Sequence, residues 1–151
     1  MNRNCFKAAT QPGFASTALL LLRLIAGIAF VLHGWGKIQA PFSWMPAEAP
    51  VHIPGFLLFL AAVSEFCGGI AWIIGLLTPL ASLGIGCTMT VAVYMHMIVF
   101  KDPFVSMKAG GGSYEPALVY LGIALLLLAT GPGKFSLDAK LFGTRQQALC
   151  P

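Results

Sequence analysis

Four ionisable side chains, Arg23, His33, Glu65 and His96, interrupt stretches of this chain that are otherwise apolar. Charge among hydrocarbon is costly, so such groups usually face a bundle interior and pair, relay protons or hold a ligand. Glu65 suits a proton relay or anchor, with Arg23 as its counter-ion, and histidine is the side chain whose charge changes near neutral pH. Spacing supports convergence. Arg23, Gly27, Phe30, Gly34 and Lys37 recur every three or four residues and share one helical stripe. Ala61, Glu65, Gly68, Gly69 and Trp72 make a second stripe, whose small residues would let two helices approach closely in lipid. With a rise of about 1.5 Å per residue, Arg23 and Glu65 fall at compatible depths, so an Arg23–Glu65 pair is expected across the first two helices. His33 and His96 share a level about 25 Å up, near the outer face. Lys37 lies one turn beyond His33, and Glu115 opens the last apolar stretch at that same level. The candidate site is therefore Glu65 and Arg23 for chemistry, with His33, His96, Lys37, Glu115 and Trp72 as binding groups.

Other chemistries are weaker. Two histidines at one depth could ligate a b-type haem, whereas covalent c-type haem is excluded because the chain has no C-x-x-C-H. Met89, Met95 and Met97 near His96 raise copper, but methionine in an apolar helix is more often packing. No metal site is assigned. Of the four cysteines, Cys5 and Cys150 sit in the tails and Cys67 and Cys87 within spans, without a C-x-x-C, which argues against thiol redox chemistry. No nucleotide motif occurs. His52 and Glu48 in the first long connection are too isolated to rank as a site.

The elements that must position these groups follow from composition. Among 151 residues, 58% are hydrophobic and 9% charged, with a formal net charge of +4 and a mean hydropathy of +0.83. Soluble domains carry about 25% charged residues, so a water-soluble globule is excluded. Low charge and high apolarity also exclude disorder, and no Lys/Arg run marks a nucleic-acid surface. An integral membrane protein remains, with the lipid bilayer as its first partner. Four stretches approach the roughly 20 apolar residues that cross a bilayer: about 15–35, 55–77, 80–100 and 115–130. The expected fold is all-α, a four-transmembrane-helix bundle forming a single domain over 1–151.

Connections are well punctuated. Gly36–Pro54 carries four prolines, with Trp35 and Trp44 suited to an interface. Thr78-Pro79 reads as a tight hairpin, Lys101–Ser113 holds the flexible run Gly110-Gly111-Gly112, and Gly131-Pro132-Gly133 stops the fourth helix. Arg3, Lys7, Lys134, Lys140 and Arg145 against Lys37, Lys101 and Lys108 favour cytoplasmic termini. The first span is read as retained, since Arg23 and its length do not suit a cleaved signal. In the tail 134–151, Ser136 caps a short helix with Asp138 in its first turn, and Leu137 and Leu141 suit an interfacial helix.

These residues resemble the DoxX family. The resemblance rests on Arg23-Leu24-Ile25-Ala26-Gly27 leading to His33-Gly34-Trp35-Gly36-Lys37, on Glu65-Phe66-Cys67-Gly68-Gly69, and on His96 and Glu115. Gly131-Pro132-Gly133-Lys134-Phe135-Ser136-Leu137-Asp138 completes it, so it spans roughly 22–138. It implies a multi-pass protein of the bacterial inner membrane. It further implies the small subunit of a thiosulfate:quinone oxidoreductase or a membrane partner of detoxifying redox enzymes. On that basis the expected function is a redox-associated subunit that binds a quinone, or else a haem, and couples a soluble or membrane oxidoreductase to the bilayer. A quinone headgroup would meet His33, His96 and Glu65, with Arg23 poising Glu65. The alternatives are a small-molecule or metal-handling protein, acting as a homodimer if it transports, and a non-catalytic anchor or assembly factor.

Overall fold

The computed structural model describes residues 8–9, 13–46 and 48–145. Arg3, Lys7, Cys5 and Cys150, which entered the charge and cysteine readings, lie outside them. The protein is an all-α membrane protein. Its helices are α1 (Gly13–Gln39), α2 (Gly55–Ile74), α3 (Thr78–Tyr94), α4 (Glu115–Thr130) and the short α5 (Leu137–Phe142). A π-helical turn, Met95–Val99, continues α3. By length and composition α1, α2 and α3 with its π-turn are able to cross a membrane, and α4 is a shorter apolar helix. Two parallel two-residue strands, β1 (Ala8–Ala9) and β2 (Thr144–Arg145), pair the segment before α1 with the segment after α5.

Local sequence sets each boundary. Helix α1 ends where Ala40 precedes Pro41, because a residue before proline disfavours helical geometry. Proline occupies the first turn of α3 and of α4, where its missing N–H removes no helical bond. Helix α2 stops at Gly75 in the left-handed conformation (φ 68°, ψ 42°), whose N–H donates to the Ala71 carbonyl. This moves the second connection from the expected Thr78-Pro79 to Gly75–Leu77. Glycine ends the helix three residues before the apolar run does, and Thr78 and Pro79 become the first turn of α3. Helix α1 also runs on to Gln39, a full turn past the expected end. The fourth helix and the capped tail helix fall where the sequence places them, with Ser136 Oγ accepting from the Ala139 N–H.

Helices consecutive in sequence pack together, α1 on α2, α2 on α3 and α3 on α4. Phe30, Trp72, Ile85, Ala124 and Leu127 fill the centre. Phe30 meets Trp72 edge-on at 5.5 Å and Tyr120 of α4 at 4.9 Å, so aromatic rings bridge α1 to α4. The outward faces remain apolar: Leu21, Ile25, Ile28 and Leu32 on α1, Leu80, Leu83 and Val91 on α3, and Leu118, Val119 and Leu125 on α4 are exposed. Such a surface is suited to hydrocarbon rather than water.

Both sequence stripes are buried except at Lys37 and Ala61, which are partly exposed, and α1 packs closely on α2 through their glycines. A Cβ on Gly27 would lie 2.8 Å from the Gly69 carbonyl oxygen, and one on Gly69 would lie 2.8 Å from the Gly27 carbonyl oxygen and from the Val31 nitrogen. A Cβ on Gly34 would lie 2.7 Å from the Phe66 nitrogen, which is backbone and cannot rotate away. Gly34→Ala is therefore expected to destabilise the bundle by about 1–3 kcal/mol through overpacking. Gly122→Ala meets nothing within 4 Å and should leave stability within about 1 kcal/mol. Thermal or denaturant unfolding of both variants in detergent checks this.

Candidate functional site

The ionisable groups resolve into three clusters at two ends of the bundle. At the end bearing the short α2–α3 turn, Arg23 is buried and its guanidinium lies among backbone carbonyls. Nε donates to the Trp72 carbonyl at 2.9 Å, Nη2 to Phe135 at 3.1 Å and to Ile73 at 3.5 Å, and Nη1 to Pro132. The last carbonyls of a helix have no partner within it, so a five-donor fork placed there satisfies groups that lipid could not. Buried Asp138 completes this end. Its carboxylate accepts from the N–H groups of Leu77 (2.7 Å) and Thr78 (2.8 Å), and its own N–H donates to the Gly75 carbonyl (2.8 Å). Leu77 has φ 50°, a left-handed conformation that L-residues with a Cβ adopt at a cost of about 1–2 kcal/mol. The Asp138 carboxylate holds that strained turn and caps α3.

At the other end, where the two long connections lie, Lys37 Nζ donates to both carboxylate oxygens of Glu65, at 2.6 and 2.7 Å. The Glu65 side chain is 3% exposed and that of Lys37 is 27% exposed, so the carboxylate is sealed while the lysine side chain is partly open. Trp44 closes the arrangement from the first long connection. Its ring lies 4.6 Å from Lys37 Nζ in a cation–π contact, and its Nε1 donates to the Leu58 carbonyl at 2.9 Å. Trp35 against Phe66 and Phe42 stacked on Phe59 surround this end with aromatic rings.

The Arg23–Glu65 pair expected from depth is thus replaced by two separate arrangements. Side chains on a helix lean toward its N-terminus. On α1 that lean carries Lys37 down toward Glu65 and Arg23 away from it, onto the carbonyl end of α2. Trp72 is central to the core rather than set at a mouth: it is fully buried, and its indole N–H donates to Ser82 Oγ at 3.0 Å.

The third cluster joins His96, in the π-turn, to Asp102. Their Nδ1 and Oδ2 atoms lie 2.7 Å apart, and the Asp102 N–H donates to the His96 carbonyl at 2.8 Å. His33 is exposed, and its side chain has no hydrogen bond among the described residues. Glu115 is half-buried in the first turn of α4, where its charge complements the helix dipole, and its N–H donates to the Phe104 carbonyl at 3.2 Å. Met95 is buried and Met97 exposed. Among the described residues no three His, Cys, Asp or Glu side chains are grouped to hold a metal ion.

Three participants escape a reading by span. Asp138 was placed by its helix-dipole position, and its reach across to α3 has no local signature. Asp102 reads as an Asp-Pro turn, and Trp44 as an interfacial ring. The depth match of Lys37 with Glu65 was available once side-chain lean was considered.

The DoxX family model matches residues 18–98, which contain Arg23, Lys37, Glu65 and His96. The chain belongs to the DoxX family. It is 33% identical over 124 residues to inner membrane protein YqjF of Escherichia coli (strain K12), covering 82% of this chain and 91% of that one. It is 29% identical over 123 residues to "Putative oxidoreductase CatD" of Bacillus subtilis (strain 168), covering 82% and 86%. A membrane protein of Mycobacterium tuberculosis, Rv3486, is 28% identical over 132 residues, covering 82% and 81%. No solved structure matches the chain significantly. With its apolar helices, this family membership makes it a multi-pass bacterial inner-membrane protein.

The two ion-pair partners give a sharp stability test. Lys37→Met strands a buried carboxylate and is expected to cost about 3–5 kcal/mol, whereas the double variant Lys37→Met, Glu65→Met should recover most of that loss. Unfolding midpoints of the two variants and the wild type in one detergent decide it. Arg23→Leu leaves its carbonyl partners without a donor, at about 1–3 kcal/mol for each buried group so abandoned, and should be the most damaging of these changes by the same measurement.

Proposed function

We propose that this DoxX protein is a redox-associated membrane subunit whose Lys37–Glu65 site takes the headgroup of a membrane quinone and couples a partner oxidoreductase to the bilayer. The observation that carries this reading is a sealed carboxylate paired with a partly exposed lysine that lies against the Trp44 ring. A relative named as an oxidoreductase adds support.

The residues fit such a headgroup. A quinone needs a donor for a carbonyl oxygen, a group that exchanges protons, and flat apolar surroundings. Lys37 has three N–H donors, not all of which its carboxylate partner can occupy at once. Glu65 is the proton-exchanging group, and Trp44, Trp35 and Phe66 supply the rings. A bound quinone would supply two-electron, two-proton redox chemistry. The chain's own part is to orient and to move protons. Lys37 orients a carbonyl oxygen and neutralises the Glu65 charge in apolar surroundings, and Glu65 accepts or returns a proton at a carboxylate oxygen. Trp44 keeps the ammonium directed inward and excludes water from the pair. His33 and His96 belong less naturally to this site, since His33 faces outward and His96 is held by Asp102. With cytoplasmic termini, as the lysine and arginine balance favours, the site opens to the outer side of the membrane.

The test is an oxidised-minus-reduced ultraviolet–visible spectrum of protein purified in detergent, with quinone extracted and quantified in parallel. Wild-type protein is expected to retain a quinone with a reduction-sensitive band. The double variant Lys37→Met, Glu65→Met should lower retention about tenfold, through loss of the one charge-assisted hydrogen bond that Lys37 donates. A blank difference spectrum from folded wild-type protein would overturn the quinone reading and favour a non-catalytic anchor or assembly factor.

A further inference from the structure

The His96–Asp102 pair stands apart from the Lys37–Glu65 site and has a geometry of its own. The two residues are linked twice, once through side chains and once through main chain, which closes residues 96–102 into a small ring. The π-turn makes this possible. The Phe100 N–H donates to the Met95 carbonyl at 2.9 Å, a five-residue spacing that widens the helix end. The turn also sets the Phe100 ring 5.5 Å from the imidazole, edge-on. π-helical turns are rare and occur frequently at functional sites. The Asp102 carboxylate also lies against Gly112, where any Cβ would collide with both carboxylate oxygens, Oδ2 foremost. This accounts for glycine at that point of the 110–112 run. The carboxylate is held by the imidazole through Oδ2 and by its own main-chain bond to the His96 carbonyl, with Gly112 closely alongside.

A carboxylate accepts and does not donate, so Asp102 selects the tautomer with its hydrogen on Nδ1. The lone pair then lies on Nε2. The imidazole is 38% exposed and the Asp102 side chain 22% exposed, and no partner to Nε2 occurs among the described residues. A histidine backed by a fixed carboxylate with its second nitrogen open is the arrangement of a general base.

We propose that His96 and Asp102 form a proton-accepting dyad, a second chemical site whose Nε2 takes the proton of a weakly acidic O–H or S–H group arriving at the long-loop end of the bundle. Asp102 is a positioning residue: it fixes the tautomer and stabilises the imidazolium formed when Nε2 accepts the proton. No electrons move in this step, and the conjugate base of the donor is its other product. The inference does not depend on a quinone being bound.

Two measurements on the full-length protein in detergent test it. In nitrogen-15 spectra of histidine-labelled protein at pH 8, the His96 resonances, assigned by their loss in His96→Asn, are expected to show Nδ1 protonated and Nε2 bare. A ring protonated on both nitrogens at that pH, or on Nε2 alone, would overturn the proposal. The second is the rate of acylation by diethyl pyrocarbonate at pH 8, read by peptide mass spectrometry with exposed His33 and His52 as internal references. His96 should react faster than either, and Asp102→Asn should slow it by about tenfold or more, since an amide can hold the wrong tautomer. An unchanged or faster rate in Asp102→Asn would mean that the carboxylate merely ties the ring down, and would overturn the dyad. The variant's rate is read with its unfolding midpoint matched to the wild type, and the nitrogen-15 spectrum tests the proposal on the wild-type chain alone.

Discussion

Much of this fold rests on the problem of unpaired carbonyls in lipid. The C-terminal turn of any helix presents carbonyl oxygens that water would satisfy in a soluble protein, and water is unavailable inside a bilayer. Arg23 answers this by projecting from α1 onto the end of α2 and onto the segment after α4, contacting Trp72, Ile73, Pro132 and Phe135. One side chain thereby ties three parts of the chain that are far apart in sequence. The glycine at position 75 is bound into the same constraint, because a Cβ there would lie 2.7 Å from Arg23 Nη2. Helix termination, the position of the tail and the depth of α1 against α2 are consequently one problem with one solution.

The opposite end is built on a different balance. Glu65 and Lys37 carry full charges into apolar surroundings, where a pair of ions recovers its desolvation only with good geometry. Two short contacts to one ammonium supply that geometry, and the exposed edge of Lys37 spares part of the penalty. The bundle therefore separates its roles along its length. Arg23 and Asp138 secure one end through backbone groups, whereas the other end carries side chains with unused donors and an open ring nitrogen.

The stripes that bury Arg23, Gly27, Phe30 and Gly34 on α1, and Glu65, Gly68, Gly69 and Trp72 on α2, were legible because helical periodicity alone defines them. The choice of partners was not, because depth arithmetic treats a side chain as a point at its Cα. Arg23 and Lys37 both sit within a few turns of Glu65, and the lean of the Cα–Cβ bond decides between them. The end of α2 was misjudged because apolar residues continue through Leu77 while the backbone turns at Gly75. The π-turn at Met95–Val99 leaves no compositional mark, so the meeting of His96 with Asp102 was hidden although both residues were in plain view. Ser136, by contrast, was readable as a cap, since a hydroxyl just before a helix has one obvious task.

The clamp on Gly75–Leu77 has a mechanical consequence. A three-residue link whose Gly75 and Leu76 N–H groups return to the Ala71 carbonyl, whose Leu77 N–H is held by the Asp138 carboxylate together with that of Thr78, and whose first carbonyl accepts from the Asp138 N–H, resists hinging between α2 and α3. The backbone contact of Gly27 with Gly69 likewise resists sliding of α1 on α2. Between α1 and α4 the contact is made by side chains, the rings of Phe30 and Tyr120 lying 4.9 Å apart. The bundle is therefore stiffest along the α1–α2 seam and the α2–α3 turn, where backbone meets backbone, and α1 meets α4 through side chains.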